Sequence, residues 1–209
     1  MPAEFLVILI PMFIVIDPFG TFPLYLALTS SMDAAARNKT LKYALVFSTA
    51  LLAAFALAGK AILDYLSVSI DALRIAGGLL LLVIGIMMLY EGDTPRARRN
   101  NEEEPAPEPA PHSPEDVAFV PLGTPMLAGP GAISVVIILT GTADIPLVVT
   151  ALLVSMGFVA LLLWQAATLY KVIGKAGTRA LTRVMGLITS AYAVQMILDG
   201  ITGYVSGVI

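Results

Sequence analysis

Apolar residues follow one another along this chain in six long stretches, and short polar segments separate them. An α-helix rises about 1.5 Å per residue, so roughly 20 mostly apolar residues cross a hydrocarbon layer of about 30 Å. Each stretch has about that length, and the pattern therefore predicts an all-α membrane protein with six transmembrane helices. The predicted spans cover residues 4–29, 43–63, 72–90, 117–140, 146–170 and 181–204.

Composition supports a membrane location and leaves little chain for anything else. Of the 209 residues, 58% are hydrophobic and 13% are charged, which is far from the usual balance of a soluble domain. The longest polar segment, residues 91–116, is too poor in apolar residues to form a core and is predicted to be a disordered cytoplasmic linker. It divides the chain into a first three-helix half, residues 1–90, and a second, residues 117–209. Any function is therefore expected within the membrane bundle.

The residues that usually carry catalytic or metal chemistry are scarce. The chain has no cysteine, and His112, its single histidine, falls in the polar linker. A histidine-based metal site or a catalytic triad would need side chains that this sequence does not supply. We therefore expect no cofactor, no bound metal and no enzymatic activity.

Basic residues favour one side of the predicted bundle. Ten of the 12 Lys and Arg residues fall in or beside the first, third and fifth connections, whereas Lys60 and Arg74 fall on the other side. Because cytoplasmic segments carry the excess of Lys and Arg, this distribution predicts that both chain ends lie outside the cytoplasm.

The two halves match one another at a nearly constant offset. With a shift of 109 residues, RIAGGLLLLVIGIMML from Arg74 aligns with RVMGLITSAYAVQMIL from Arg183, and a shift of 111 places Gly20 on Gly131. A repeat with an odd number of spans enters the membrane from the opposite face the second time. The sequence therefore predicts two inverted three-helix repeats, an arrangement typical of secondary transporters.

Proline and glycine interrupt the first and fourth spans at corresponding places. The segment DPFGTFP contains Pro18 and Pro23, and GTPMLAGPGAIS contains Pro125 and Pro130. Proline removes a backbone donor and clashes with the preceding turn, and hydrocarbon offers no water to replace the lost bond. We therefore predict that both spans are discontinuous and that their half-helices present carbonyl and amide groups to a shared midplane site.

Asp17, directly before Pro18, has two compatible interpretations. Aspartate followed by proline is typical of a helix start, so the side chain can serve as the N-cap of the second half-helix. Ionisable side chains at membrane depth are usually functional, so the carboxylate can also bind a substrate ammonium or carry a coupled proton. The sequence leaves both roles open.

Two further patterns concern packing. Ala50, Ala54 and Ala58 recur at helical spacing along the second span, and small residues let membrane helices approach closely, so this face is predicted to pack against another helix. Met87 and Met88, at the end of the third span, are expected to be ordinary contacts with lipid or core.

The motifs IDPFGTFPLYLALT, RIAGGLLLLVIGIMML and VPLGTPMLAGPGAIS, with the six-span layout, resemble the MarC family of bacterial and archaeal inner-membrane proteins. The resemblance covers nearly the whole chain except the linker, and it implies a transporter of glycine, alanine or similar small amino acids. The family's two motifs fall on Asp17, Pro18, Gly20, Thr21 and Pro23, and on Pro121, Pro125, Ala128, Gly129, Pro130, Gly131 and Ala132. The resemblance implies that substrate is bound by Asp17, Gly20, Thr21, Ala128, Gly129, Gly131 and Ala132. The family usually has asparagine where this chain has Thr21, so the contact made there is expected to differ.

Three functions are compatible with the sequence. The first is a secondary transporter of small neutral amino acids, driven by a proton or sodium gradient, in the inner membrane of a bacterium or archaeon. The second is a passive channel or a membrane scaffold without transport. The third, an intramembrane hydrolase using Asp17 and Asp199, needs the two carboxylates side by side so that they share a proton. The expected partners are the substrate, the coupling ion and the lipid bilayer, with no nucleic acid, and assembly into a homo-oligomer is left open.

Overall fold

The computed structural model of the chain describes residues 2–90 and 113–208, and these residues form helices and connections without a β-strand. An irregular segment, Ala118–Leu127, lies between the short helix Pro114–Val117 and the helix Pro130–Thr142. Residues 91–112 of the predicted linker lie outside the described residues, and residues 114–116 of that linker are helical. The helices are α1 (Pro2–Ile16), α2 (Pro18–Leu28), α3 (Ala34–Tyr65), α4 (Ile70–Tyr90), α5 (Pro114–Val117), α6 (Pro130–Thr142), α7 (Ile145–Trp164) and α8 (Ala166–Val208).

The chain has five or six membrane spans, depending on how one bent pair of helical segments is counted. In that pair, Pro114–Leu127 and Pro130–Thr142 meet at 55°, a bend found in broken spans and in re-entrant loops, and we call residues 114–142 the fourth crossing. Counting the pair as one span gives the predicted number of six. Five other stretches are long and apolar enough to cross a membrane, and the first of them includes both α1 and α2 residues. They are Glu4–Leu28, Ala34–Tyr65, Ile70–Tyr90, Ile145–Trp164 and Ala166–Gly207.

Prolines determine the shape of the irregular segment. Val120 and Thr124 are extended, with φ/ψ of −138/122° and −129/132°, and each precedes a proline through a cis peptide bond. The proline ring disfavours the helical conformation of the residue before it, so neither residue continues the helix. The fourth crossing therefore becomes a long regular helix only at Pro130.

Contacts between helices give the direction of the crossings. The α1 helix packs on α6 and α2 packs on the irregular segment, so the first and fourth crossings run antiparallel. Near the start of α3, the Thr40 hydroxyl donates to the Pro114 carbonyl at 3.2 Å. Farther along both segments, the Ser48 hydroxyl donates to the Gly123 carbonyl at 3.3 Å, so α3 and the fourth crossing run parallel.

The α4 and α8 helices are antiparallel, and glycines bring their backbones together. A Cβ atom on Gly85 would lie 2.9 Å from the carbonyl oxygen of Gly186, and one on Gly186 would lie 2.8 Å from the carbonyl oxygen of Gly85. At the other end of the contact, a Cβ atom on Gly200 would lie 2.8 Å from the carbonyl oxygen of Asp71. Close approach through glycine is a common way for membrane helices to gain packing contacts.

The first and fourth crossings lie at the centre of the bundle. In Glu4–Leu28, 44% of the most apolar window is buried, against 22% to 33% in the other four single spans. Both crossings also supply most of the large side chains that are fully buried. These include Met12, Ile16, Phe22 and Tyr25 from the first crossing and Leu122, Leu127, Val135 and Val136 from the fourth.

The last two spans are divided differently from the prediction. The α7 helix ends at Trp164, before the predicted limit at residue 170, and α8 begins at Ala166. Gly174 interrupts α8 with φ 70° and ψ 177°, a positive φ that residues with side chains rarely adopt. Residues 166–173 therefore form a short helix that leads into the last crossing, residues 175–208.

The prediction for the alanine ladder of the second span is wrong. Ala50, Ala54 and Ala58 are all exposed, and the buried face of α3 includes Ala56 and Gly59 instead. Alanine is apolar enough to face lipid as readily as another helix, so its spacing alone does not identify the packed face.

Candidate functional site

The first break lies at Asp17, between α1 and α2. Asp17 has φ 45° and ψ 70°, a left-handed conformation that aspartate tolerates better than most residues. Pro18 follows, and it disfavours the ordinary helical conformation at Asp17. The Asp17 carboxylate accepts a hydrogen bond from the Gly20 amide at 3.0 Å. The capping role of Asp17 is therefore confirmed, while its binding of an ammonium or a proton stays a prediction.

Backbone carbonyls at the first break lose their usual helical donors. Pro18 has no N–H to donate to the Ile14 carbonyl, and Pro23 has none to donate to the Phe19 carbonyl. A carbonyl without a helical donor keeps its partial negative charge available to a cation. The first break therefore combines a carboxylate with carbonyl dipoles of the same sign.

The second break lies between the irregular segment and α6. Gly129 is the N-cap residue of α6, and no side chain caps this helix. A Cβ atom on Gly129 would overlap the carbonyl oxygen of Pro125, so the usual capping residues do not fit here. The first-turn amides of α6, which include those of Gly131 and Ala132, therefore lack a side-chain acceptor at the N-cap. Amides in this position attract negative charge.

Carbonyl groups of the second break, in contrast, have hydroxyl donors. Ser48 of α3 donates to the Gly123 carbonyl at 3.3 Å, and both groups are buried. Ser134 donates to the Pro130 carbonyl at 2.9 Å. These bonds neutralise acceptors and leave the amide end of α6 as the charged feature of this break.

One face of α4 lies against both breaks. A Cβ atom on Gly20 would overlap the Asp17 carboxylate and would lie 2.7 Å from the terminal methyl carbon of Met88. A Cβ atom on Gly131 would overlap the side chain of Leu81. Leu81 and Met88 are two helical turns apart, so they share a face and are separated by about 10 Å along the axis. The two breaks therefore flank one short length of α4.

The predicted substrate residues are shielded from solvent in this conformation. Asp17 is half-buried, and the other six are buried. A cavity of about 550 Å³ between α2, α3 and α8 includes Pro23 but none of the predicted substrate residues. The buried six are Gly20, Thr21, Ala128, Gly129, Gly131 and Ala132. Of the predicted break prolines, Pro18 is buried, Pro23 is half-buried, and Pro125 and Pro130 are exposed.

The sequence-based reasoning missed two residues that lie directly on the breaks. Leu81 is 2% exposed and Met88 is 7% exposed, whereas the neighbouring Met87 is 66% exposed. Leu81, Gly85 and Met88 follow one another at spacings of four and three residues, which is the spacing of one helical face. That periodicity is the signal that would have distinguished Met88 from Met87.

The structure gives no support to a pair of catalytic aspartates. Asp199 accepts a hydrogen bond from the Gln195 amide at 2.7 Å near the end of α8. Met88 lies beside Gly20 of the first break and also beside Gly186 of α8. The helix from Gly186 to Asp199 is about 20 Å long, too far for Asp17 and Asp199 to share a proton. Within residues 2–90 and 113–208, no three His, Cys, Asp or Glu side chains are grouped as a metal site requires.

Comparison with known proteins identifies relatives along nearly the entire chain. The model of a family described as MarC family integral membrane protein matches residues 3–205. A UPF0056 membrane protein of Methanocaldococcus jannaschii is 39% identical over 195 residues, which cover 91% of this chain and 92% of the relative. The UPF0056 inner membrane protein MarC of Escherichia coli K12 is 35% identical over 214 residues, with 94% and 91% covered. No solved structure matches this chain.

Proposed function

We propose that this chain, which belongs to the MarC family of integral membrane proteins, is a secondary transporter of small neutral amino acids such as glycine and alanine. The observation that carries the proposal is the opposite chemistry of the two breaks. The first holds the Asp17 carboxylate, and the second holds the amides of α6, whose N-cap position at Gly129 has no room for a side chain. A zwitterion offers an ammonium to the first and a carboxylate to the second.

Crowding around the breaks favours a small cargo. Gly20 and Gly131 already lack room for a Cβ atom, and Leu81 and Met88 fill the space beside them. Movement of these two side chains is what makes room for the cargo. The volume gained in this way suits glycine or alanine better than an amino acid with a long side chain.

Two inverted repeats, with the first and fourth spans broken, are part of the proposal. Antiparallel packing of these two crossings is what an inverted pair requires. The contacts of Gly85 with Gly186 and of Asp71 with Gly200 belong to one antiparallel register, in which residue 81 faces residue 190. These two positions are separated by the 109 residues that align the two halves, which supports a twofold axis at this point.

Transport follows an alternating-access cycle in this proposal. Leu81 and Met88 cover the breaks in the closed conformation, and rocking of one repeat against the other exposes the breaks to each side in turn. A proton or sodium gradient drives the cycle, and Asp17 binds the substrate ammonium or carries the proton. The excess of basic residues at the connection between α2 and α3 and around the start of α8 supports a cytoplasmic position for this end, with both termini outside.

Uptake of labelled glycine into proteoliposomes tests the proposal. We expect saturable uptake that increases when a proton or sodium gradient is imposed. Alanine should compete, whereas glycinamide, which has no carboxylate, and acetate, which has no ammonium, should not. Linear flux that ignores the gradient would indicate a channel instead, and absence of flux would indicate a scaffold. Equal competition by glycinamide and alanine would exclude the α6 amides as the carboxylate site.

A further inference from the structure

A cavity of about 550 Å³ opens at one end of the bundle, and none of the predicted substrate residues lines it. Its walls come from the end of α2, the start of α3 and the first part of α8. The positively charged lining residues are Arg37, Lys171, Lys175 and Arg179, and no Asp or Glu is among the residues that line the cavity. Four positive charges around one cavity repel each other, so an anion that enters it relieves that repulsion.

The backbone of α8 adds to the positive potential. Because Gly174 breaks the helix, a new helix of 34 residues starts at Lys175 beside the cavity. The first-turn amides of this helix carry partial positive charge. Lys175 and Arg179 are one turn apart, so their side chains share a face. Neither is in an ion pair with another described residue.

Arg37 provides an independent indication of a missing partner. One terminal nitrogen of its guanidinium donates to the Thr29 carbonyl at 3.0 Å. Its Nε atom is buried and has no hydrogen-bond partner within the described part of the chain. A buried guanidinium N–H without an acceptor is costly, and a shift of the Arg37 side chain toward an anion in the cavity would remove that cost.

The shape of the cavity indicates what kind of anion it binds. The lining also includes apolar residues, among them Pro23 and Leu26 of α2 and Ala167 of α8. The cavity lies where α2 ends, α3 begins and the last crossing begins, which is the level of lipid headgroups for a chain that spans a bilayer. A neutral amino acid would leave its ammonium without an acidic partner here. A phospholipid, however, has both a phosphate and acyl carbons to match the two kinds of wall.

We infer that this cavity binds an anionic phospholipid, whose phosphate contacts Arg37, Lys175 and Arg179 while its first acyl carbons contact Pro23 and Leu26. None of the predicted substrate residues lines the cavity, so the inference stands independently of the proposed amino acid transport. Basic pockets between membrane helices are a known way of holding anionic headgroups.

Equilibrium binding of short-chain lipids to the purified full-length protein, measured by native mass spectrometry, tests this inference. We expect short-chain phosphatidylglycerol to bind and short-chain phosphatidylcholine to bind much more weakly. Because each cation near an anionic headgroup contributes about 1 kcal/mol, Lys175→Gln and Arg179→Gln should each weaken phosphatidylglycerol binding about fivefold. Both side chains are exposed, so neither change is expected to disturb folding.

Lys60→Gln is the matched control, because Lys60 is an exposed cation on α3 that does not line the cavity. It should leave phosphatidylglycerol binding unchanged. Three outcomes would overturn the inference: equal binding of phosphatidylcholine, equal loss of binding in Lys60→Gln, or full displacement of the lipid by inorganic phosphate at matched concentration. The last would identify a soluble phosphate compound as the occupant.

Discussion

Each of the two breaks of this protein lies directly before a proline that begins a helix, but the two have opposite electrostatic character. At the first break, the Asp17 carboxylate accepts a hydrogen bond from the Gly20 amide at 3.0 Å and so caps α2. At the second, the position equivalent to the cap is Gly129, and the Pro125 carbonyl oxygen excludes any side chain there. One break therefore brings a negative charge, and the other leaves amides that attract one.

This difference shows that duplication of a motif does not duplicate its chemistry. Two equal acidic breaks would bind two cations, and two equal amide ends would bind two anions. The unequal pair suits a ligand that carries both charges. Leu81 contacts the second break and Met88 contacts the first, and the two side chains lie about 10 Å apart along one face of α4.

The largest expected effect is at the second break. Gly131→Ala places a methyl group where Leu81 now lies, and we expect glycine uptake to fall below detection. Gly157→Ala is the matched control, since a Cβ atom there meets nothing within 4 Å, and it should transport normally. The double change Gly131→Ala with Leu81→Ala should recover part of the uptake. No recovery, together with normal thermal stability, would mean that the added methyl blocks something other than Leu81.

At the first break, Asp17→Asn separates the cap from the charge. Asparagine caps a helix about as well as aspartate, so the thermal unfolding midpoint should stay near that of the unchanged protein. Loss of the carboxylate should reduce glycine uptake about 10- to 100-fold, because a charge-assisted hydrogen bond to the ammonium is lost. Asp17→Ala should lose a further amount of stability, about 1 kcal/mol. Wild-type uptake and pH dependence in Asp17→Asn would reduce Asp17 to a helix cap.

Shortening the side chains of α4 tests whether they limit cargo size at each break. Leu81→Ala should raise uptake of valine relative to glycine by about tenfold, because space for a branched side chain opens beside Gly131. Met88→Ala makes the equivalent change beside Gly20. The measurement is competition of valine against labelled glycine in all three proteins. An unchanged valine-to-glycine ratio in both variants would place the cargo side chain elsewhere.

The smallest expected effect is at Ser48, whose hydroxyl donates a hydrogen bond to a backbone carbonyl of the second break. Ser48→Ala removes the bond to the Gly123 carbonyl and should lower the free energy of unfolding by about 1 kcal/mol. Ser155 is also buried, but its hydroxyl has no partner among the described residues, so Ser155→Ala should be neutral or slightly stabilising. Chemical denaturation in detergent micelles compares the two variants. Equal effects would show that the Ser48 bond contributes nothing measurable.

Much of the architecture could be predicted because membrane physics constrains it tightly. Long apolar runs must be helices, and Pro18 and Pro130 are each the first residue of a helix. The Asp17 cap also followed from local sequence, since an Asp-Pro pair is typical of a helix start.

Features that depend on which helices meet could not be predicted in this way. The position of Leu81 and Met88 over the breaks results from packing between α4 and two distant segments, and no local pattern encodes it. The same limitation explains the alanine ladder, whose smooth face meets the outside of the bundle. Crowding at Gly129 arises from the path of the irregular segment, which brings the Pro125 carbonyl against it.

The glycine contact between α4 and α8 restricts the motions open to this molecule. Because the backbones of Gly85 and Gly186 touch, sliding either helix along the other by a single residue would drive a side chain into a carbonyl group. The pair therefore resists sliding along the helix axes, and a movement of α4 relative to α8 would have to pivot about this glycine contact. Met88 contacts the first break and Leu81 contacts the second, so a pivot of α4 would move both side chains away from the breaks together.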